Sequence, residues 1–136
     1  MGKYEKFIIQ RSPEPYEKGQ RVWFKGEQDF DGKDFGQAFI VIDHDLVMEA
    51  DPHIHDFDMY VWHFPMDPNN MEDLGCEVEF GFGSGAEDDP LETYTITKSG
   101  CVYIPAGMFH GPLVYKNVSK PFLFVHAIQK DKYYKS

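Results

Sequence analysis

Residues 51–64 read DPHIHDFDMYVWHF and set three histidines and three aspartates among aromatic and apolar side chains. Polar groups inside a pattern that otherwise looks buried need partners, because an unpaired imidazole in an apolar interior costs stability. A shared metal ion is one such partner. In extended chain, residues two apart share a face, so His53 and His55 project together and their imidazoles can converge on one ion. The same alternation turns Met59, Val61 and His63 to one side and directs Asp56 and Asp58 away, to bond nearby backbone or support a histidine, unless a bulge between His55 and Tyr60 re-aims Asp58 as a ligand.

The chain around this segment reads as all-β. Short extended runs recur at 20–26, 36–42, 46–50, 57–64, 76–82, 92–97, 101–105 and 121–129, separated by turn-forming stretches such as DFDGKDFG, PMDPNN and GSGAEDDP. Eight strands with little helix predict a closed sandwich or barrel, and only NNMEDLG, with Asn70 as cap, has the makings of one helical turn. At 136 residues the chain has the size of one domain, with residues 1–18 as an N-terminal arm and 130–136 as a C-terminal tail.

Charge narrows the partners. Thirteen Lys and Arg against 23 Asp and Glu give a net charge of −10, and a field of that sign repels phosphate backbones and anionic lipid surfaces. Nucleic acid and membrane are not expected partners. No run approaches the roughly 20 apolar residues of a membrane-spanning helix, and the opening residues lack a signal-peptide pattern, so a cytoplasmic protein is expected. Two cysteines, Cys76 and Cys101, are too few for a disulfide framework, and each is expected to pack as a small buried hydrophobe. The glycines of GFGSGAEDD precede acidic residues and no helix, which makes the segment a hairpin loop and not a phosphate cradle.

A second segment, GCVYIPAGMFHGP at 100–112, ends a strand at Pro105, turns through Gly107 and delivers His110. Together the two segments resemble the paired motifs of the cupin superfamily. The first motif is centred on His-x-His, matched by His53-Ile54-His55, and the second on Pro-x-Gly, two residues and His, matched by Pro105 to His110. The first segment is also similar to a group of small single-domain cupins that carry HDFDE here, with glutamate where Met59 stands. The resemblance implies an eight-stranded jelly-roll barrel. It further implies a metal held by His53, His55 and His110, with open positions for water or substrate. The family's glutamate ligand would fall at Met59 or Tyr60, and neither supplies a carboxylate.

From this follow the expected site and its chemistry. The metal is a divalent ion, with Fe(II) first and Zn, Mn, Ni or Co accepted by the same donors. Met59, Val61, Phe109 and His126 are expected to line a largely apolar pocket for a small organic molecule, and His63, Tyr60 and Tyr103 are the candidates for moving a proton. Three function readings remain open: a non-haem Fe(II) dioxygenase, a metal-assisted isomerase or lyase in which the ion polarises a carbonyl, and a non-catalytic module binding a small ligand or metal. A homodimer is expected, since jelly-roll edges and the doubly apolar run 121–128 need covering.

Overall fold

A computed structural model describes residues 2–131. The part of the expected C-terminal tail from residue 132 onward lies outside the described residues. Ten β-strands dominate: β1 Glu14–Tyr16, β2 Gly19–Lys25, β3 Gly36–Ile42, β4 Leu46–Glu49, β5 Met59–Pro65, β6 Asp73–Gly83, β7 Glu92–Lys98, β8 Gly100–Ile104, β9 Phe109–Lys116 and β10 Phe122–Ile128. Among the described residues helix is confined to α1, Gly26–Asp29, and a 3-10 turn at Glu5–Phe7.

The all-β reading therefore holds, but the described residues form ten strands and not eight. β9 hides in the sequence because Gly111 and Pro112 sit inside it, and proline is normally discounted as a strand interior residue. The structure accommodates them with Gly111 at φ 105° and a register shift opposite Phe80 to Phe82. β1 is short and belongs to the segment read as an arm, yet it pairs with β2 through Glu14–Arg21 and Tyr16–Gly19. The helical turn expected at Asn70 does not form. Asn70 Oδ1 instead accepts from the backbone N–H groups of Glu72 and Asp73 at 3.3 and 3.2 Å, shaping the bend that leads into β6.

The strands make two antiparallel sheets, one in the order β1-β2-β3-β10-β5-β8 and the other β4-β9-β6-β7. Alternation decides what lies between them. Along β5, Met59, Val61 and His63 are buried, whereas Tyr60 and Trp62 between them face outward. From the larger sheet Ile40, Ile42, Val61, Phe122 and Phe124 meet Leu74, Val78, Phe80, Leu113 and Tyr115 of the smaller one, forming one core. Burying such side chains contributes roughly 1.5–3 kcal/mol each against leaving them in water. Cys76 joins this core, but Cys101 does not: it lies exposed on β8, which corrects the expectation that both cysteines are buried. The loop 84–91 closes the β6–β7 hairpin, with Asp89 accepting from the Ser84 N–H at 2.9 Å, as the glycine-rich segment implied.

The N-terminal segment is tied to this frame. Arg11 donates to Asp29 through both terminal nitrogens, at 2.7 and 2.6 Å, and also to the Trp23 carbonyl at 2.7 Å. The Arg11 guanidinium holds the enclosed Asp29 carboxyl down at about 2. Such bidentate pairing fixes direction as well as distance, and it ties the segment before β1 to α1 and to β2.

Candidate metal centre

His53 and His55 lie in the loop between β4 and β5, not in a strand, and His110 is the second residue of β9. What joins them is backbone. The His53 N–H donates to the His110 carbonyl at 2.8 Å and the His110 N–H returns a bond to the His53 carbonyl at 3.0 Å, forming an isolated antiparallel bridge. The Gly107 N–H donates to the His55 carbonyl at 2.8 Å, and the Ala106 N–H donates to Asp58 Oδ1 at 2.8 Å. Asp58 thus supports the second histidine segment and faces away from the ligand atoms. Tight approach also demands glycine. A Cβ on Gly111 would stand 3.1 Å from Pro52 Cα, and one on Gly81 would stand 2.5 Å from the Gly111 carbonyl oxygen.

With the backbones so joined, one nitrogen each from His53, His55 and His110 lies within 4.8 Å of the others. His53 Nδ1 sits 3.1 Å from the Asp51 carbonyl and His110 Nδ1 sits 2.9 Å from that of Met108. A carbonyl only accepts, so both Nδ1 atoms carry the proton and both Nε2 atoms present a lone pair. His53 Nε2 and His55 Nε2 stand 3.1 Å apart. Two nitrogens each about 2.1 Å from one ion, at angles between a right angle and the tetrahedral value, stand roughly 3.0–3.4 Å apart. His53 and His110 therefore fit a divalent ion in tautomer, His53 and His55 fit it in spacing, and all three nitrogens lie close enough to share one. His55 and His110 are 2% exposed and shielded from bulk water, whereas His53 is half-buried.

Beside the cluster opens a cavity of about 230 Å³, the room of roughly eight waters. His53 and His110 face it, together with apolar walls from Ile40, Met59, Val61, Phe80 and Phe124. His126 lines it as well, its imidazole held neutral with a pKa of about 4 by burial, with Arg21 and His55 adding to the effect. Of the pocket residues expected from sequence, the structure thus brings Met59, Val61 and His126 to the cavity. Phe109 stands elsewhere, pairing with Gly83 and packing beside Gly85.

The expected proton carriers are placed differently. Tyr60 and Tyr103 occupy the outer face of the larger sheet, stacked on each other at 5.4 Å, with Tyr60 donating to Gln129 and Tyr103 54% exposed. Their alternation parity is opposite to that of Met59 and Val61, so the sheet separates them from the cavity. His63 does point inward but one layer further on, where Nε2 meets the Tyr115 hydroxyl at 2.9 Å between the rings of Phe122 and Phe124. Burial lowers His63 to about 4 and raises Tyr115 well above its usual range, so this bond joins neutral partners. His44, in its turn, is exposed against Asp43 at 2.7 Å.

Residues that the sequence reading did not assign complete the lining: Tyr16 and Lys18 from the β1–β2 hairpin, Arg21 and Trp23 from β2, and Met48 and Glu49 from β4. Their only signal in the sequence was the inward parity of Arg21 and Trp23 on one strand.

The architecture has close counterparts among solved structures. The S161A mutant of Bacillus subtilis oxalate decarboxylase OxdC matches over 93% of this chain with a TM-score of 0.62 at 14% identity. The same enzyme at pH 4.6 matches over 93% with a TM-score of 0.62 at 16% identity. The fold is a cupin fold. Peruvianin-I, a cysteine peptidase from Thevetia peruviana latex, matches over all of this chain and 79% of its own, with a TM-score of 0.64 at 14% identity. The chain spans only 29% of the oxalate decarboxylase length. No protein-family model matches the sequence, and no curated protein is similar to it in sequence. Among the described residues, no helix is long and apolar enough to cross a membrane.

Proposed function

We propose that this cupin is a metal-dependent enzyme acting on a small organic molecule, with a non-haem Fe(II) dioxygenase as the first reaction class. The observation that carries the reading is the convergence of His53, His55 and His110 at the edge of an apolar cavity. Three neutral nitrogens leave coordination positions open, as catalytic sites do. A bound Fe(II) would supply a Lewis acid and a site for O₂ and substrate. The chain's own residues would do the rest. Met59, Val61 and Phe124 exclude water from the reacting end, and His126 contacts the substrate as a neutral imidazole.

A second reading, a non-catalytic binding module, is favoured by Met59. It stands where the family's first motif carries a glutamate, and the cluster of potential ligands holds no carboxylate. Metal analysis of protein purified without an affinity tag, followed by oxygen uptake with small diketones, thiols and aromatic acids, separates the two. One metal per chain with turnover supports the enzyme, and one metal per chain without any turnover leaves the binding module. We further propose a homodimer in the cytoplasm, formed through the outer face where Tyr60, Trp62 and Tyr103 stack. Sedimentation at micromolar concentration tests it.

A further inference from the structure

The cavity is polar at two places, and only one of them is the histidine cluster. At the other, the β1–β2 hairpin sets Tyr16, Lys18 and Arg21 in the wall. Tyr16 Oη is buried and has no hydrogen-bond partner among the described residues. Leaving a buried hydroxyl unsatisfied costs about 1–3 kcal/mol, so a group that accepts its proton would be favoured there. Burial also raises the Tyr16 pKa, which keeps the phenol a donor at neutral pH.

Arg21 is held rather than loose. Its guanidinium lies over the Trp23 ring at 4.3 Å and the Tyr16 ring at 4.8 Å. Nε and Nη2 both donate to Glu14 Oε1, at 3.1 and 2.8 Å, which leaves Nη1 as the remaining nitrogen to donate. A planar, stacked guanidinium with an available edge reads an oxyanion by direction, and Lys18 adds a second positive charge. The lining itself holds a single carboxylate, Glu49, at the end of β4 four residues before His53, while outside the lining Glu14 pairs with Arg21 at 2.8 Å and the exposed Glu17 with Lys18 at 3.3 Å. On a chain of net charge −10, cations gathered at a cavity mark a place where an anion is selected against the general field.

We infer that Tyr16, Lys18 and Arg21 form a carboxylate subsite, and that the ligand of this cavity is a small organic carboxylate with an apolar body. The acid group donates nothing and accepts from Tyr16 Oη and Arg21 Nη1, while the body lies along Ile40, Val61 and Phe124 toward the histidines. This deepens the enzyme reading and rests on it for the reaction, but the recognition of the acid is carried by residues that hold no metal.

The test is a tryptophan fluorescence titration of the full chain with pentanoate and with its uncharged isostere pentanamide, using Trp23 as reporter, on zinc-loaded and on chelated protein. Pentanoate should bind at least ten-fold more tightly than pentanamide in both forms. Arg21→Gln should remove most of that preference and Arg21→Lys should restore part of it. Lys18→Gln, at the hairpin turn, and Tyr16→Phe should each weaken pentanoate several-fold while zinc stoichiometry stays unchanged. Equal binding of acid and amide would overturn the inference. So would a preference that vanishes on chelation, since the acid would then be reading the metal. A preference retained by a wild-type chain that binds no zinc would support the subsite and overturn the metal reading instead.

Discussion

His53 and His110, more than fifty positions apart, exchange both of their backbone hydrogen bonds across an isolated antiparallel bridge. The ligand geometry is thus set by main chain before any side chain turns toward an ion. A metal bound there adds a side-chain link between the β4–β5 loop and the start of β9, and binding that favours only the folded state stabilises it by mass action.

With zinc or Fe(II) at about one hundred times its dissociation constant, the chain should gain about 2.7 kcal/mol, which at this size raises the melting temperature by roughly 8 °C. His110→Ala and His53→Ala should abolish that gain. Thermal melts with metal and with chelator check this, and an equal gain in the His110→Ala protein would exclude the cluster as the binding place.

Asp58 acts one step behind the ligands, through its bond to the Ala106 N–H. Asp58→Ala should lower metal affinity about ten-fold and cost about 1–2 kcal/mol of stability. Asp58→Asn keeps an acceptor oxygen and should recover most of both. Calorimetric metal titrations of the two variants give the comparison, and indistinguishable affinities would show that the loop holds its shape without this bond.

Gly111→Ala places a methyl group 3.1 Å from Pro52 Cα at a φ of 105°. The strain and the contact together should cost on the order of 2 kcal/mol, read as a fall in the urea midpoint at unchanged m. Because Pro52 leads directly into His53, metal affinity should fall as well. A variant with lowered stability and intact affinity would mean that the strain is absorbed elsewhere in β9.

Two imidazoles, the buried His63 and the cavity-lining His126, set an acid limit. His63 and His126 are held near 4 in the folded chain, below the ordinary value of 6.5, so the unfolded chain binds more protons between those values. Stability is therefore complete above about pH 6.5 and falls as the pH drops toward 4, with His63 alone contributing on the order of 3 kcal/mol across that window. Asp29, held at about 2, adds a further loss only below pH 4. Urea unfolding of chelated protein at pH 7, 5.5 and 4.5 should show the decline, and His63→Phe should flatten it. An unchanged slope in that variant would place the proton uptake elsewhere.

Much of the fold was legible in local pattern. Alternation in MYVWHFP fixed which side of β5 is buried, and the turn residues fixed where eight of the strands end. β9 escaped because Gly111 and Pro112 look like punctuation, and only the neighbouring β6 strand, with Gly81 yielding space, makes them part of a ladder. Tyr60 and Tyr103, expected as proton carriers, stand on the outer face because their parity is opposite to that of Met59 and Val61.

The sequence by itself determined the period-two burial, the donor types at 53, 55 and 110, and the strong negative charge. Those are properties of short windows and of totals. Tertiary structure alone decided that these donors lie within 4.8 Å of one another, and that Tyr16, Lys18, Arg21 and Glu49 share a cavity with two of them. Such meetings depend on sheet order and register, in which β1 and β2 reach one edge and β9 passes between β4 and β6. No window of adjacent residues carries that information, because the energy that fixes it is shared among contacts distant along the chain.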